Sequence, residues 1–394
     1  MVSSVHDNAP VGLPGTIRAL GWTSFLTDLS SEAIYPLLPA FVKSLGGTSV
    51  EIGLIDGVAN AVAAVVRLPS GAISDTVGRR PLVLFGYGLS AIIRPLMGLV
   101  ASPVGVILVR MADRFGKGIR SAPRDALVSD LVEPAGRGRA FGHIRAMDHA
   151  GAALGPLVAM LFLLAFPGRE RLLFLLALLP GLVTLAVIWK TVHDAPTRTA
   201  VAARTALAPQ LSRPQSLLLG SVGVWSLGAA SEQFLLMRAA ELGVPAALVP
   251  LVWLAMSLAK SGSALAAGRL ADAWHPRLAL GAGWLVFAAA YAGLAASSQL
   301  WAALPLMMVV GVAYGLAEPA ERSLVARLAP EGRQGGAFGW YTLVQGLMAL
   351  PAGLLAGWLW QQGPVGPAKA FAATAMLTVA ACGLLLVMVR ERKL

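Results

Sequence analysis

Charge is scarce in this 394-residue chain: Asp, Glu, Lys and Arg together make up 13% of it, against 57% hydrophobic residues. A soluble domain carries about a quarter charged residues, so water cannot solvate most of this surface and lipid is expected in its place. Cysteine is nearly absent too. Cys382 stands alone, which excludes an intramolecular disulfide and a cysteine-based metal site. The five histidines are scattered apart from His143 and His149, and no third metal ligand accompanies that pair. No phosphate-cradling glycine loop, H-E-x-x-H or G-x-S-x-G element occurs, so neither direct ATP drive nor an intramembrane enzyme is expected. No cofactor is implied. The first 16 residues lack the blocks of a cleavable signal peptide. The first apolar span is therefore expected to act as insertion signal and to stay in the mature chain.

What is present is a series of long apolar runs. Residues 278–317, 334–368 and 370–389 contain no Asp, Glu, Lys or Arg. A bilayer-spanning helix needs about 20 apolar residues, and the pattern predicts an all-α polytopic membrane protein of twelve spans. Their expected bounds are 17–44, 50–71, 82–101, 104–127, 140–165, 172–190, 215–241, 247–268, 278–297, 301–326, 336–361 and 367–389. The net charge of +11 does not point to nucleic acid, because the cations sit in alternate loops. Arg79-Arg80, Arg137 and Arg139, Lys190 to Arg213, Arg277, Arg333, and Arg390 to Lys393 follow one another in this way. By the positive-inside rule those loops, and both termini, are expected to be cytoplasmic, in a bacterial-type inner membrane.

The chain also repeats itself. Gly71-x-x-x-Asp75 recurs as Gly268-x-x-x-Asp272, and Ala140-Phe-Gly142 as Ala337-Phe-Gly339. Leu45-Gly46 recurs as Leu242-Gly243, and Leu127-Val128 as Leu324-Val325, each 197 residues later. A register held over four landmarks predicts two six-helix bundles, 1–190 and 215–394, joined by a polar linker at 191–214 that holds a short surface helix near 199–211. A solute site is expected between the bundles near the membrane midplane.

The loop after span 2 reads Gly71-Ala-Ile-Ser-Asp75-Thr-Val-Gly78-Arg79-Arg80-Pro81. A small residue at Gly71 lets helices approach, Asp75 suits a helix end, and Arg79 and Arg80 obey the cytoplasmic charge rule. This stretch resembles the signature between helices 2 and 3 of the major facilitator superfamily, and the resemblance extends over essentially the whole chain. It implies a gate that latches the outward-facing state. Asp75 would meet the start of span 11 near Gly336, and Arg79 would pair with Asp130. The second copy, Gly268 and Asp272, ends in Trp274-His275-Pro276-Arg277 and lacks the arginine pair. In span 5, Gly142, Gly151, Gly155 and Pro156 are spaced like the glycines of the superfamily's drug:proton antiporters, with Ala159-Met160 where that branch has two glycines. Physically they predict a close-packed, kinked helix at the interface between the halves. The resemblance implies export coupled to protons.

Span 4 carries Arg110, Asp113, Arg114, Lys117, Arg120, Arg124 and Asp125. Around a helical wheel, Arg110, Arg114, Lys117 and Arg124 fall within about 80° of one another. A charge at the bilayer centre costs at least ~2.5–3.5 kcal/mol, so this stripe must face a wet cavity, the other half or acidic partners. The same cost singles out Asp28 and Glu32, which lie four apart on span 1 just before Tyr35-Pro36. They are either a proton-carrying pair or partners of the span-4 arginines. Arg67, Asp148, Glu232, Lys260 and Glu318 are further pathway candidates. Glu321-Arg322 reads as an internal pair, and Asp56 and Arg94 rank below these because they fall nearer the outer half.

Together the residues predict a monomeric, proton-coupled transporter of a small organic or amphiphilic solute, in contact with membrane lipids and with no nucleic-acid partner. Two alternatives remain open at this point. One is uptake of a small anionic metabolite, for which span 4 offers many cations; the other is a receptor or scaffold that keeps the fold without transport.

Overall fold

The computed structural model describes residues 14–133, 136–193, 211–229, 231–270, 275–329 and 334–388. The expected linker helix and Asp272 lie outside the described residues. Within them the chain is helical throughout and forms twelve spans. Span 1 is Gly15–Ile34 continued through Tyr35–Leu37 into Leu38–Ser44, span 2 Ser49–Val77 and span 3 Arg79–Ile93 with Arg94–Leu99. Span 4 is Pro103–Leu131, span 5 Arg137–Ala165, and span 6 Glu170–Leu176 with Leu178–Thr191. Span 7 is Arg213–Gly228 with Gln233–Glu241, and span 8 is Val249–Leu270. Spans 9 to 12 are Pro276–Ala296, Leu300–Leu328, Gln334–Trp360 and Gly366–Met388.

Nine of these spans are long and apolar enough to cross a membrane on length and composition alone. The other three are spans 1, 4 and 7. Spans 1 and 7 are interrupted partway, at Tyr35–Leu37 and between Gly228 and Gln233, and span 4 carries the charged stripe. Their polarity is tolerable only because neighbouring spans surround it. The surface facing outward is different: Trp22, Leu99, Leu161, Trp358 and Val387 are all more than half exposed. In a soluble protein so much exposed apolar side chain would be an aggregation hazard; against lipid it is the favoured surface.

Packing follows a regular scheme. Span 1 lies against spans 5 and 6, span 2 against 4, and span 3 against 4 and 6. Six spans later, span 7 lies against 11 and 12, span 8 against 10, and span 9 against 10 and 12. The two most extensive contacts between the sets are span 2 on span 11 and span 5 on span 8; shifting each by six spans exchanges them. The ends of spans 1 and 7 also match atom for atom. Gly46 N–H donates to the Lys43 carbonyl and Gly47 N–H to Val42, while Gly243 donates to Ala240 and Val244 to Ala239. Gly46 and Gly243 have φ of 81° and 105°, the left-handed conformation that closes a helix in a Schellman motif and favours glycine.

Glycine decides where the spans touch most closely. A Cβ on Gly151 would strike the Phe25 carbonyl, and one on Gly155 the Leu29 carbonyl, so these two residues seat span 5 on span 1. That corrects the expectation that the span-5 glycines serve the interface between the halves. The reason is rotational: the face of span 5 that carries Gly151 and Gly155 is turned to span 1. Gly142 has open space around it. The close crossing between the halves is made instead by Gly53 and Gly57 of span 2 against Gly353 and Leu350 of span 11, with Gly357 beside Ser49. Gly151→Val should therefore lower stability by about 1–3 kcal/mol. Gly142→Ala should leave it unchanged or raise it by up to ~1 kcal/mol. Thermal melts of the purified variants in detergent check both.

Candidate functional site

The break in span 1 places the first functional side chain. Pro36 has no N–H to donate, the helix tightens over Tyr35–Leu37, and the Tyr35 ring turns into the seam between spans 1, 2, 7 and 8. There Tyr35 donates its hydroxyl to Asp56 Oδ2 at 2.7 Å, and the Ser231 hydroxyl donates to the same oxygen at 2.5 Å. Arg110 lies 3.6 Å from the other oxygen of Asp56, with its guanidinium carbon 5.3 Å from the Tyr35 ring centre. Asp113, one turn along span 4, takes Arg94 at 3.0 Å and Arg110 at 3.8 Å. Arg94 also donates to the Thr27 carbonyl at 3.0 Å. Asp56, Arg94, Arg110 and Asp113 are each less than 9% exposed. Two acids and two bases cancel, which is how four ionised groups can share one apolar interior.

Glu32 lies beside this cluster. Its carboxylate accepts the indole N–H of Trp253, on span 8, at 2.9 Å, and the Trp253 ring packs on Tyr35 with centroids 4.8 Å apart. Trp253 stands 197 residues after Asp56, so the two occupy corresponding places in the repeat. Each reaches out of its own set of spans: Asp56 to Ser231 on span 7, Trp253 to Glu32 on span 1. A third contact joins Gln233 to the Tyr35 carbonyl at 3.3 Å, and a fourth is the 2.9 Å ion pair of Lys43 with Glu241 at the span ends. These four bonds and the span 2–span 11 glycine crossing all lie on the side away from the Arg79-Arg80 loop.

On the other side of the cluster the interior is open and charged. A cavity of about 320 Å³ is lined by Asn60, Arg67, Arg114, Lys117 and Ser121 on spans 2 and 4, and by Thr342 and Gln345 on span 11. A second, of about 200 Å³, is shared by Asp28, Lys117, Arg120, Arg124 and Asp148. Arg124 donates to Ser24 at 3.0 Å and lies within ion-pair reach of Asp125 and Asp148, and Arg67 lies 3.5 Å from Asp125. Arg120 donates to Ser90 at 2.8 Å and sits over the Tyr87 ring at 4.4 Å.

The remaining candidates are dispersed. Glu232 sits at the break in span 7, and Lys260 lies 4.9 Å over the Tyr314 ring. Glu318 pairs with Arg322 at 3.1 Å, which corrects the expected Glu321–Arg322 pair: residues four apart share a helix face, and Glu321 is turned into the protein. Glu321 is buried and accepts from Gln345 at 3.5 Å. In the loop after span 2, Arg79 contacts Ser74 and Asp75, and its Nε lies 3.3 Å from Asp130. Asp75, in the last turn of span 2, is thus held by Arg79 at the start of span 3; the expected contact with the start of span 11 belongs to the outward-facing state. Arg80 donates to the Trp189 carbonyl at 3.0 Å, Gly78 takes φ 93° at the turn, and Gly268 falls near the end of span 8. Asp28 and Glu32 do not pair with the span-4 arginines; Glu32 is taken by Trp253. Among the described residues no group of three His, Cys, Asp or Glu could hold a metal.

Sequence reasoning ranked Asp56 and Arg94 low and passed over Trp253, yet the structure puts Asp56 and Arg94 inside the buried cluster and Trp253 against it. One signal was available. The 197-residue register aligns Asp56 with Trp253 and Tyr35 with Glu232, which marks paired positions in the two sets of spans.

With the geometry described, comparison with known proteins places the chain. A family model for the Major Facilitator Superfamily matches residues 20–350 and 217–394. An uncharacterised MFS-type transporter of Methanocaldococcus jannaschii, MJ1317, is 31% identical over 360 residues, 89% of this chain and 90% of that one. The multidrug resistance protein MdtH of Cronobacter sakazakii is 33% identical over a shorter stretch of 147 residues, 36% of this chain and 37% of that one. In fold, the chain matches a bacterial homologue of the human lysosomal transporter Spinster, in an inward-facing and occupied conformation, with a TM-score of 0.77 over 94% of this chain and 96% of that one at 18% identity.

Proposed function

The chain belongs to the major facilitator superfamily of membrane transporters, which are not enzymes, and from that premise we propose that it is a proton-coupled secondary transporter exporting a small organic solute by alternating access. The observation that carries this reading is the asymmetry of the seam. Four polar contacts and a backbone-to-backbone glycine crossing close one side, while polar cavities occupy the other. The matched packing of spans 1–6 and 7–12 supports two bundles, 1–190 and 215–394, related by an axis along the membrane normal, with 191–214 as linker. The arginine-rich loops support a cytoplasmic cavity side, with both termini cytoplasmic as well, in a bacterial-type inner membrane. The state described is then inward-facing, and a single chain suffices for the cycle.

Glu32 is the proton carrier in this reading. Its charge-assisted bond to Trp253 crosses the seam, and protonation replaces an ionic acceptor by a weaker neutral one. Loss of a proton and closure of the outer side are thereby linked. In this reading the outward-facing latch forms when Asp75 leaves Arg79 for the start of span 11, while Arg79 keeps Asp130. Export is the direction favoured by the partial relatives named for multidrug resistance. After a thermal-shift screen against solutes and drugs has supplied a substrate, Glu32→Gln should abolish transport driven by a pH gradient in vesicles while exchange of labelled substrate continues. Undiminished pH-driven transport would remove Glu32 from the role.

A further inference from the structure

The cavity between spans 2, 4 and 11 is lined by three cations, Arg67, Arg114 and Lys117, and by no carboxylate. Only one of the three has an acid partner. Arg67 lies 3.5 Å from Asp125, which is not part of the lining. Neither Arg114 nor Lys117 has an ion pair within 4.0 Å among the described residues, and the Arg114 Nε–H is shielded from solvent with no hydrogen-bond acceptor. The nearby acids are otherwise engaged or set back: Glu32 holds Trp253, and Asp28 lines the neighbouring cavity, where Lys117 is joined by Arg120 and Arg124. Asp56 and Asp113 are consumed by Arg94 and Arg110. The cation surplus therefore opens into this cavity.

Unpaired charge inside a span is costly, and a guanidinium with an idle N–H deep in the protein is costlier still. A ligand of opposite sign would remove that cost, and an ionisable group inside the membrane marks a candidate functional site. We propose that this cavity binds the acid group of the exported solute, a carboxylate or phosphate, held by Arg114 and Arg67 as forks and Lys117 as a point charge. The inference rests on the transporter reading and names its substrate class. The planar guanidinium forks match either oxyanion bidentately. Thr342 and Gln345 face the same space from span 11, so an anion seated on span 4 also contacts the opposite bundle. That gives the solute a grip on both halves, which a ligand must have to bias their rocking. At about 320 Å³ the space suits a small organic anion and not a bulky amphiphile.

The charge of the cavity can be tested before the solute is identified. Ser121 lines the cavity and Cys382, the sole native cysteine, is buried. A Ser121→Cys, Cys382→Ala protein is labelled with a sulfonate-bearing and with a trimethylammonium-bearing methanethiosulfonate, and the rate ratio is normalised to that of a small free thiol. A preference for the anionic reagent of about tenfold or more is expected from field focusing in such a cleft. It should collapse in Arg114→Gln and Lys117→Gln backgrounds and persist in Arg114→Lys. A normalised ratio near or below one, or a preference that survives both neutral variants, overturns the assignment. Millimolar glutarate and inorganic phosphate are then added as protectants. Slowing by either supports binding and tells carboxylate from phosphate, whereas slowing by neither overturns the site as a binding site. None of these readouts depends on alternating access, so the transporter reading stands or falls separately, on pH-driven flux.

Discussion

Asp113→Ala should destabilise the protein by about 3–5 kcal/mol, the cost of breaking a buried ion pair from one side. Asp113 is 4% exposed and is the shared acceptor of Arg94 and Arg110. Its removal leaves Arg94 with a single backbone carbonyl as acceptor, and Arg110 with Asp56 alone at 3.6 Å. Two buried guanidinium groups would then be left with one carboxylate, and only Arg110 reaches it. The double variant Asp113→Leu, Arg94→Met removes one charge of each sign and should recover much of the loss, because Asp56 and Arg110 remain balanced. Glu318→Ala is the control. That residue's pair with Arg322 is about half exposed on both sides, so its loss should cost no more than ~1 kcal/mol. Melting curves of the four purified proteins decide the matter. If Asp113→Ala melts with the wild type, the cluster does not hold the first six spans together.

Gly353→Val should abolish transport without unfolding the protein. The Cβ it adds would meet the backbone carbonyl of Gly53, and a backbone group cannot swing aside as a flexible side chain would. In the proposed cycle, opening this side separates the two spans. The penalty, about 1–3 kcal/mol for overpacking, therefore falls on one state of the cycle and shifts the population toward the other by roughly 5- to 150-fold. Ser49, at the end of span 2 and 9% exposed beside Gly357, is a suitable reporter. In a Ser49→Cys, Cys382→Ala protein, a membrane-impermeant thiol reagent applied from the outer face should label the Gly353→Val form many times faster. Equal labelling with transport intact would mean that the glycine crossing is not a seal.

The two predictions differ in how far the sequence foreshadowed them. Asp113 was visible as part of the span-4 stripe, since a charge in an apolar helix announces itself by its cost. Its partner was not. Arg94 looked too near the outer end of span 3 to matter, but span 3 tightens into a 3₁₀ segment at Arg94–Leu99, and Arg94 lies within reach of Thr27 and Asp113. Gly353 carried no signal at all, because one glycine among 43 says nothing about which backbone it faces. The span-5 glycines show the same limit from the other side. Gly151 and Gly155 do make a close approach, but to span 1, and Gly142 makes none.

The solvent and the spans were legible in the sequence alone, and so was a 197-residue register. Hydrocarbon demands long uncharged helices, cations collect on one side, and a duplicated unit keeps its 197-residue register in the chain itself. Tertiary structure alone decided which acid holds which base, that Glu32 is bonded to Trp253 and Asp56 to Ser231, and that the unbalanced cations open toward span 11. Helical periodicity fixes the face on which a side chain lies, but not the rotation or tilt of the helix that presents it. Ion pairs form or fail over differences of an ångström or two, which only the packing of the whole bundle sets.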